Sequence, residues 1–106
     1  MEISFKNKLL RDLYEGRKVN NREFRSNPSL VKKYIKTVER LKAIYRIEQL
    51  HQYHGIGYEK LKRDRKGYSA VKINDQYRLI FLEIKQDHKP FEVVLLELQE
   101  ISKHYE

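Results

Sequence analysis

Hydrophobic and polar residues at the start of the chain are spaced so as to predict a strand and then a helix. Residues 2–5, EISF, alternate polar and apolar side chains, as a strand with one buried face does. From Lys6 or Asn7 onward the apolar residues recur at helical spacing, and Gly16 is expected to end this helix. The polar residues 17–27 are expected to form a loop.

A second, longer helix is predicted to begin at Asn27 and Pro28, because asparagine caps helix starts and proline suits the first turn. The pattern places its end only within the interval from Tyr45 to Tyr53. Its opposite, polar face carries lysines and an arginine. The predicted core face consists of apolar and aromatic residues at helical spacing: Val31, Tyr34, Ile35, Val38, Leu41 and Tyr45.

The second half of the chain changes to the two-residue period of strands. After a glycine-containing loop at residues 54–57, residues 58–62 are expected to form a short edge strand and residues 63–67 a charged turn. Asn74 and Asp75 favour a tight hairpin connection. Longer strands are predicted at residues 68–74, 77–84 and 91–98. The last two are apolar enough for central strands, and the tail after them either extends the sheet or forms a short turn.

This order of elements predicts an α+β fold. Two N-terminal helices should pack on one face of a small, mainly antiparallel sheet. The other face of the sheet is then free to carry cations. A length of 106 residues fits a single domain, residues 1–106, with one modest core.

Composition and charge narrow the classes of protein. No apolar run reaches the roughly 20 residues that span a membrane, and the N-terminus lacks the apolar segment of a signal peptide, so a cytoplasmic protein is expected. Without cysteine there are no disulfides or thiolate zinc sites. The net charge is +8, with 20 basic and 9 acidic residues in 1–82 and 3 and 6 in 83–106. Nucleic acid, an acidic protein or an anionic membrane surface would suit this charge, as would a lysine-rich surface without a dedicated partner.

The densest group of cations surrounds the predicted turn at residues 63–67. Cations on a short hairpin bind polyanions, and arginine adds a bidentate grip on phosphate. Alternation along the strands would place Lys72 and Arg78 on one surface. The alternative is a solvated turn without a ligand. One acid, Asp64, accompanies the cations of this stretch, which are Lys60, Lys62, Arg63, Arg65, Lys66 and Lys72.

Two positions outside this cluster have chemistry of their own. Arg78 stands in the otherwise apolar or aromatic run YRLIF, where a charge must face solvent, pair with an acid or serve a site. It is therefore a functional residue or half of an ion pair, for example with Glu83 or Glu97. His104 and Tyr105 could exchange protons with a ligand, the alternative being a frayed terminus.

Histidines and tyrosines supply the remaining candidates. His51 and His54 have the spacing of metal ligands, but no cysteine or Glu-His signature accompanies them, so neither a metal site nor a cofactor is expected. Tyr58, Tyr68 and Tyr77 lie near the basic hairpin and are candidates for stacking on nucleic-acid bases.

Residues 61–81, LKRDRKGYSAVKINDQYRLIF, resemble the central signature of the RelE/ParE toxin superfamily, especially its HigB-like branch. In that signature a strand that follows a Leu-Lys pair and a glycine leads through a short turn into a strand with Tyr-Arg and phenylalanine. Residues 4–18 are similar to the first helix of this branch, and residues 40–44 to the end of the second. The matching residues are Leu61, Lys62, Asp64, Arg65, Gly67, Tyr68, Val71, Asn74, Asp75, Tyr77, Arg78 and Phe81.

The resemblance implies a toxin of a type II toxin–antitoxin system, a ribosome-dependent mRNA endonuclease that needs no metal ion. The RNA 2′-hydroxyl attacks the adjacent phosphorus, which requires a base, cations and an acid. Lys62 would act as base or stabilise charge, Arg65 and Arg78 would hold the phosphate, and His104 or Tyr105 would protonate the leaving oxygen. The remaining contacts to RNA would come from Lys60, Lys66, Lys72 and Tyr68.

The resemblance further implies that the long helix ends near Tyr45, with a short turn around residues 47–50. It implies two partners, mRNA on the ribosome and a cognate antitoxin. The antitoxin is expected from a neighbouring gene, with a helix-turn-helix, and an acidic or extended segment of it is expected to cover the basic sheet face.

Two positions depart from the branch and keep other functions open. Glu59 stands where HigB-like members often have a histidine, and residues 103–106, KHYE, replace a frequent Asp-Tyr-His ending. ParE-like members share the fold and poison DNA gyrase, so a gyrase inhibitor is one alternative. A catalytically degenerate RNA-binding module is the other.

Overall fold

The computed structural model describes residues 1–103 and confirms the α+β fold. Two short 3-10 turns, Ile47–Gln52 and Arg63–Arg65, lie between the longer elements. The helices are α1 (Lys8–Tyr14), α2 (Arg22–Arg25) and α3 (Pro28–Ala43). The strands are β1 (Glu2–Phe5), β2 (Glu59–Lys60), β3 (Ser69–Lys72), β4 (Tyr77–Gln86) and β5 (Lys89–Lys103).

The five strands form one sheet in the order β1-β5-β4-β3-β2. β1 pairs parallel with β5, and the other neighbours are antiparallel. The predictions of a central β4 and β5 and of an edge position for β2 are confirmed. The segment after residue 98 was predicted either to extend the sheet or to form a short turn. It extends the sheet, because β5 continues to Lys103.

The predicted helix starts are confirmed, and an asparagine caps each one. The Oδ1 of Asn7 accepts a hydrogen bond from the backbone N–H of Leu10 at 3.0 Å. Asn27 does the same for Leu30 at 3.2 Å, with proline next to the cap in the first turn. These side chains satisfy backbone donors that a helix leaves free at its N-terminus. Gly16 follows α1 with a φ of +78°, as expected of a residue that ends a helix.

The predicted end of α3 between Tyr45 and Tyr53 is wrong. The helix ends at Ala43, and Ile44 is extended, with ψ at 151°. Ile44 is fully buried, so the chain turns inward there and leaves Tyr45 87% exposed instead of in the core. The helical spacing of apolar residues continues to Tyr45, but the burial of Ile44 ends the helix before it.

The segment 17–27, predicted as a loop, contains the single turn α2. Asn21 caps it by accepting from the backbone N–H of Phe24 at 3.3 Å, and Phe24 is buried in the core. One apolar residue therefore anchors a polar segment that has no periodic pattern. The turn around residues 47–50 that the family resemblance implied is present as Ile47–Gln52.

The main core lies between the helices and one face of the sheet. It includes Val71, Leu79, Phe81, Leu96 and Leu98 from the strands. The residues that alternate with these point to the opposite side, which we call the outer face. It includes Tyr68, Ala70, Lys72, Arg78, Ile80, Glu100 and Ser102.

Candidate nucleic-acid interface

Lys72 and Arg78 lie side by side on the outer face, as the alternation predicted. They are direct cross-strand partners on β3 and β4, and Ser102 of β5 follows in the same row. Directly opposed residues of an antiparallel pair have neighbouring side chains. The two cations therefore form one short positive row at the end of the sheet.

Arg78 is ion-paired, although not with the acids expected from the sequence. Its Nη1 lies 3.5 Å from Oε1 of Glu59, and the two side chains are 21% and 53% exposed. Its Nε is buried and has no hydrogen-bond partner within residues 1–103. The expected alternatives Glu83 and Glu97 bond elsewhere, to Tyr58 and Gln99 among others. A long contact to a half-exposed carboxylate leaves the Arg78 guanidinium able to exchange partners.

Gly57 fixes the path of the Lys72 side chain. A Cβ at Gly57 would lie 2.7 Å from Cγ of Lys72, so the lysine stem runs directly over the glycine backbone. Gly57 has a φ of +62°, in the region that favours glycine. The Lys72 ammonium lies 3.8 Å from Oδ1 of Asp75, which is fully exposed and holds it weakly.

Arg65 extends from the Arg63–Arg65 turn to β5, where its Nη1 forms an ion pair with Oε1 of Glu100. Glu100 is the cross-strand partner of Ile80, which in turn pairs with Ala70. The Arg65 side chain thus crosses β3 and β4 over these two residues. Ala70 and Ile80 are 1% and 0% exposed but are not part of the helix-side core.

A second group of predicted residues lines a cleft of about 450 Å³ between the end of β2 and the start of β3. We call this the basic cleft. It brings together Lys60, Lys62, Lys66 and Tyr68 from the sequence prediction. Arg63 and Lys85 add two further cations, and Glu83 is the only acid in its lining among the described residues.

The structure therefore divides the predicted site into two parts. The first is the basic cleft, which holds Lys62. The second is the outer face, where Arg65, Lys72 and Arg78 each have a carboxylate within ion-pair distance. The outer face carries cations, as the sequence predicted, but Glu59 of β2, Glu100 of β5 and Asp75 of the turn before β4 partly neutralise them.

Glu83 is fixed by two hydroxyl donors, Tyr58 Oη and Ser69 Oγ, the latter at 2.6 Å. Both donate to the same oxygen, Oε2. Burial raises the pKa of the Tyr58 phenol, and the hydrogen bond to Glu83 raises it further. Tyr58 also stacks on Phe81, with ring centroids 6.4 Å apart.

Two of the three tyrosines proposed for base stacking are already used inside the protein. Tyr58 packs on Phe81, and its Oη bonds to Glu83, so its ring does not face a ligand. Tyr77 is 6% exposed, and its Oη donates to Glu23 on the helix side at 2.7 Å. Both predictions are wrong because these rings lie on the core face of the sheet. Tyr68, which lines the basic cleft, keeps the expected position.

The proposed acid pair His104 and Tyr105 lies outside the described residues, and β5 is described as far as Lys103. Within residues 1–103 there is no group of three or more side chains that could hold a metal ion. The ring of His51 contacts Tyr58 edge-on at 5.1 Å. In the same part of the chain, no helix is both long and apolar enough to cross a bilayer.

Sequence reasoning missed Glu100, and it named Glu59 and Glu83 without their contacts. Glu59 pairs with Arg78, Glu100 pairs with Arg65, and Glu83 accepts from Tyr58 instead of pairing with Arg78. The register between β4 and β5 is the signal that could have predicted the place of Glu100. Once β4 is paired with β5, the alternation places Glu100 beside Ile80, on the same face as Arg78.

Comparison with known proteins identifies the class of this arrangement. Residues 3–90 match the family described as RelE-like toxin of the type II toxin–antitoxin system HigB. A search of curated proteins gave no match.

Solved structures with the same fold are also toxins of this kind. A YoeB/ParE toxin from Agrobacterium tumefaciens has a TM-score of 0.55 at 20% identity, covering 99% of this chain and 100% of that one. A YoeB–YefM complex from Staphylococcus aureus has a TM-score of 0.53 at 28% identity, covering 99% and 98%. A heterotetrameric YoeB–YefM toxin–antitoxin complex from the same organism gives 0.53 at 25% identity, with the same coverage.

Proposed function

We propose that this chain, which belongs to the HigB-like family of RelE-like toxins of type II toxin–antitoxin systems, is a ribosome-dependent mRNA endonuclease. The reaction would be a metal-free transesterification. The RNA 2′-oxygen forms a bond to phosphorus and the bond to the 5′-oxygen breaks, which gives a 2′,3′-cyclic phosphate and a 5′-hydroxyl end. The observation that carries the proposal is the convergence of Lys60, Lys62 and Lys66 on one cleft.

The basic cleft has the charge that this reaction requires. Negative charge grows on the phosphorane oxygens in the transition state, and fixed cations in a cleft stabilise it. Lys62 is the proposed base or charge stabiliser, and Lys60 and Lys66 are proposed to contact the non-bridging oxygens. Tyr68 offers a ring on which a base could stack beside the scissile phosphate.

Arg65 and Arg78 are proposed to hold the RNA strand where it leaves the cleft. In the free protein Glu100 and Glu59 occupy their guanidinium groups. Both carboxylates are about half-exposed, and ion pairs that water reaches contribute only about 0–1 kcal/mol, so a phosphate can displace either carboxylate at small cost. His104 or Tyr105 is proposed as the donor of the proton to the leaving 5′-oxygen.

The similar complexes from Staphylococcus aureus, each of a toxin with YefM, support a cognate antitoxin for this chain. We propose that a neighbouring gene encodes it as a helix-turn-helix protein. Both proteins would act in the cytoplasm, where translating ribosomes are found.

Inducible expression in a bacterial host tests the proposal. The wild type, Lys62→Ala, Arg78→Ala and the control Lys33→Ala are compared for growth and for transcript integrity. Lys33 is exposed on α3 and lines neither part of the site. Wild type and control should stop growth and leave transcripts cut inside reading frames. The two site variants should stay soluble, bind antitoxin and permit growth. Growth arrest with intact transcripts would contradict the proposal.

A gyrase inhibitor is the second candidate, and the pairing of Arg78 with Glu59 favours it. Glu59 takes the position of a frequent family histidine and reduces the positive charge of the outer face. A gyrase poison would raise DNA-damage signalling and trap gyrase on DNA. Protection of the host by a resistant gyrase would support this candidate, and unchanged toxicity in that host would exclude it.

A further inference from the structure

The excess positive charge of this protein lies in its helical layer. Residues 1–46, which form β1 and the three helices, contain 13 basic and 5 acidic residues, a net charge of +8. Residues 47–106, which supply the rest of the sheet, contain 10 of each and are neutral overall. An acidic partner is therefore attracted to the helices more than to the outer face of the sheet.

A cleft of about 560 Å³ opens in this layer between the end of α1, α2 and the start of α3. We call it the helical cleft. Its apolar lining comes from Leu13, Val19, Phe24, Pro28 and Val31. Its charged lining comes from Arg17, Lys18, Arg25 and Lys32, and no acid of residues 1–103 contributes to it.

Most of these cations have no internal counter-charge. Arg17 pairs with Glu15 at 3.1 Å. Lys18, Arg25 and Lys32 make no ion pair within residues 1–103 and are exposed. Like charges around one opening repel each other, and a ligand that brings carboxylates relieves this repulsion.

The apolar lining favours a protein segment over RNA. Grooves for single-stranded nucleic acid present exposed aromatic rings on which bases stack. Among residues 1–103, the only aromatic residue in this lining is Phe24, which is 5% exposed and packed in the core. Half-buried Val19 and Val31 instead offer a surface for aliphatic side chains. An apolar groove with a charged rim is the usual receptor of an amphipathic segment of opposite charge.

We propose that the helical cleft docks an acidic, amphipathic segment of the antitoxin. Apolar side chains of that segment would enter between Val19 and Val31, and its carboxylates would pair with Lys18, Arg25 and Lys32. The proposal rests on the toxin–antitoxin assignment made above. It places the main electrostatic contact on the helices, where the sequence had suggested the basic sheet face.

A pair of matched double variants tests this. Lys18→Glu with Lys32→Glu reverses two charges at the cleft, and Lys33→Glu with Lys36→Glu makes the same change elsewhere on α3. The probe is the protein encoded beside the toxin gene, purified alone and titrated calorimetrically into full-length toxin. The cleft variant should bind at least tenfold more weakly than wild type, and the control less than threefold. Antitoxin should also slow hydrogen exchange in residues 13–32 of the wild type.

Equal weakening by both variants, or no slowing of exchange at residues 13–32, would overturn the docking site. The docking site would also be overturned if the cleft variant lost binding to a 20-nucleotide single-stranded RNA while its affinity for antitoxin stayed unchanged. The helical cleft would then be an RNA-binding site. Both variants should keep the mRNA-cleaving activity of wild type. If the wild-type protein does not cleave mRNA, the proposed nuclease function is refuted but the docking result is unaffected. If the wild-type protein does not bind the probe, the docking proposal is refuted.

Discussion

At the scale of single residues, acids determine how much positive charge the interface presents. Glu59 and Glu100 each pair with an arginine on the outer face. Glu83 is held by the hydroxyls of Tyr58 and Ser69 instead. The cations of the basic cleft are thus neutralised less by nearby acids than the arginines of the outer face are. Substitution of these acids should therefore change the charge that RNA meets.

Glu59→Gln should strengthen RNA binding. The change removes one negative charge and frees the Arg78 guanidinium, whose contact with Glu59 is 3.5 Å long. An exposed ion pair contributes roughly 0.2–1 kcal/mol, so affinity for a single-stranded RNA should rise by up to about fivefold. Fluorescence anisotropy of a labelled single-stranded RNA measures the affinity of wild type and variant. Asp87→Asn, in the exposed turn before β5, removes the same charge and is the control. Equal effects of both changes would show that Glu59 does not restrain Arg78.

Tyr58→Phe should make the protein less sensitive to alkali. Burial and the bond to Glu83 raise the Tyr58 pKa above its ordinary value, so the folded state holds this proton more tightly than the unfolded state. Stability from Tyr58 is therefore complete below the ordinary tyrosine pKa of about 10 and is lost as the pH rises above it. Urea unfolding at pH 7 and pH 10.5 measures the effect. The variant should lose less stability between these pH values than wild type, and an equal loss would contradict the prediction.

At the scale of elements, the segment before β2 positions the outer-face cations. The backbone N–H of Lys72 donates to the carbonyl of Ile56 at 2.7 Å, which joins this segment to β3. Gly57 supports the Lys72 stem, and Glu59 on β2 reaches across β3 to Arg78 on β4. The segment before β2 thus positions Lys72 on β3, and β2 itself contacts Arg78 on β4.

Gly57→Ala and Gly55→Ala form a matched pair. Both glycines have positive φ, so each alanine should cost about 1 kcal/mol from the backbone alone. Only at Gly57 would the new Cβ meet Lys72, because nothing lies within 4 Å of a Cβ at Gly55. Gly57→Ala should therefore be the more destabilising in chemical denaturation, and adding Lys72→Ala should restore part of the difference. Equal costs at both positions would contradict this packing.

Local signals in the sequence were sufficient for most elements but not for their register. The asparagine caps at positions 7 and 27 and the strand alternation depend on neighbours in the chain, so they were predictable. The early end of α3 depends on the burial of Ile44. The pairing of Arg65 with Glu100 joins two residues that are 35 positions apart in the sequence. Such long-range contacts follow from the packed fold, which a periodic pattern does not encode.

At the scale of the whole molecule, charge and chemistry are on different layers. The helical half carries the net charge of +8, and the sheet half, with equal numbers of acids and bases, carries the proposed nuclease site. Long-range attraction to an acidic antitoxin would then come from the helices. In the proposed function, local contact with the scissile phosphate would come from the basic cleft.

Replacing Lys60 and Lys66 by glutamine should reduce the salt dependence of RNA binding. Each lost phosphate contact lowers the slope of log affinity against log salt by about 0.7 for a single strand, so the pair should lower it by about 1.4. The control, Lys33→Gln with Lys36→Gln, should leave the slope nearly unchanged. Titrations of a single-stranded RNA between low and physiological salt measure it. A larger change in the control would place the RNA contact on α3.

The most direct measurement of the central claim is the appearance of 2′,3′-cyclic phosphate ends on mRNA in a purified translation system. Wild-type toxin and Lys33→Ala should produce them on translating ribosomes at the same rate. Lys62→Ala should be slower by at least about a hundredfold, the usual effect of removing a proton-transfer group. Cleavage by Lys62→Ala at the wild-type rate, or intact mRNA with the wild type, would contradict the assignment of nuclease chemistry to the basic cleft.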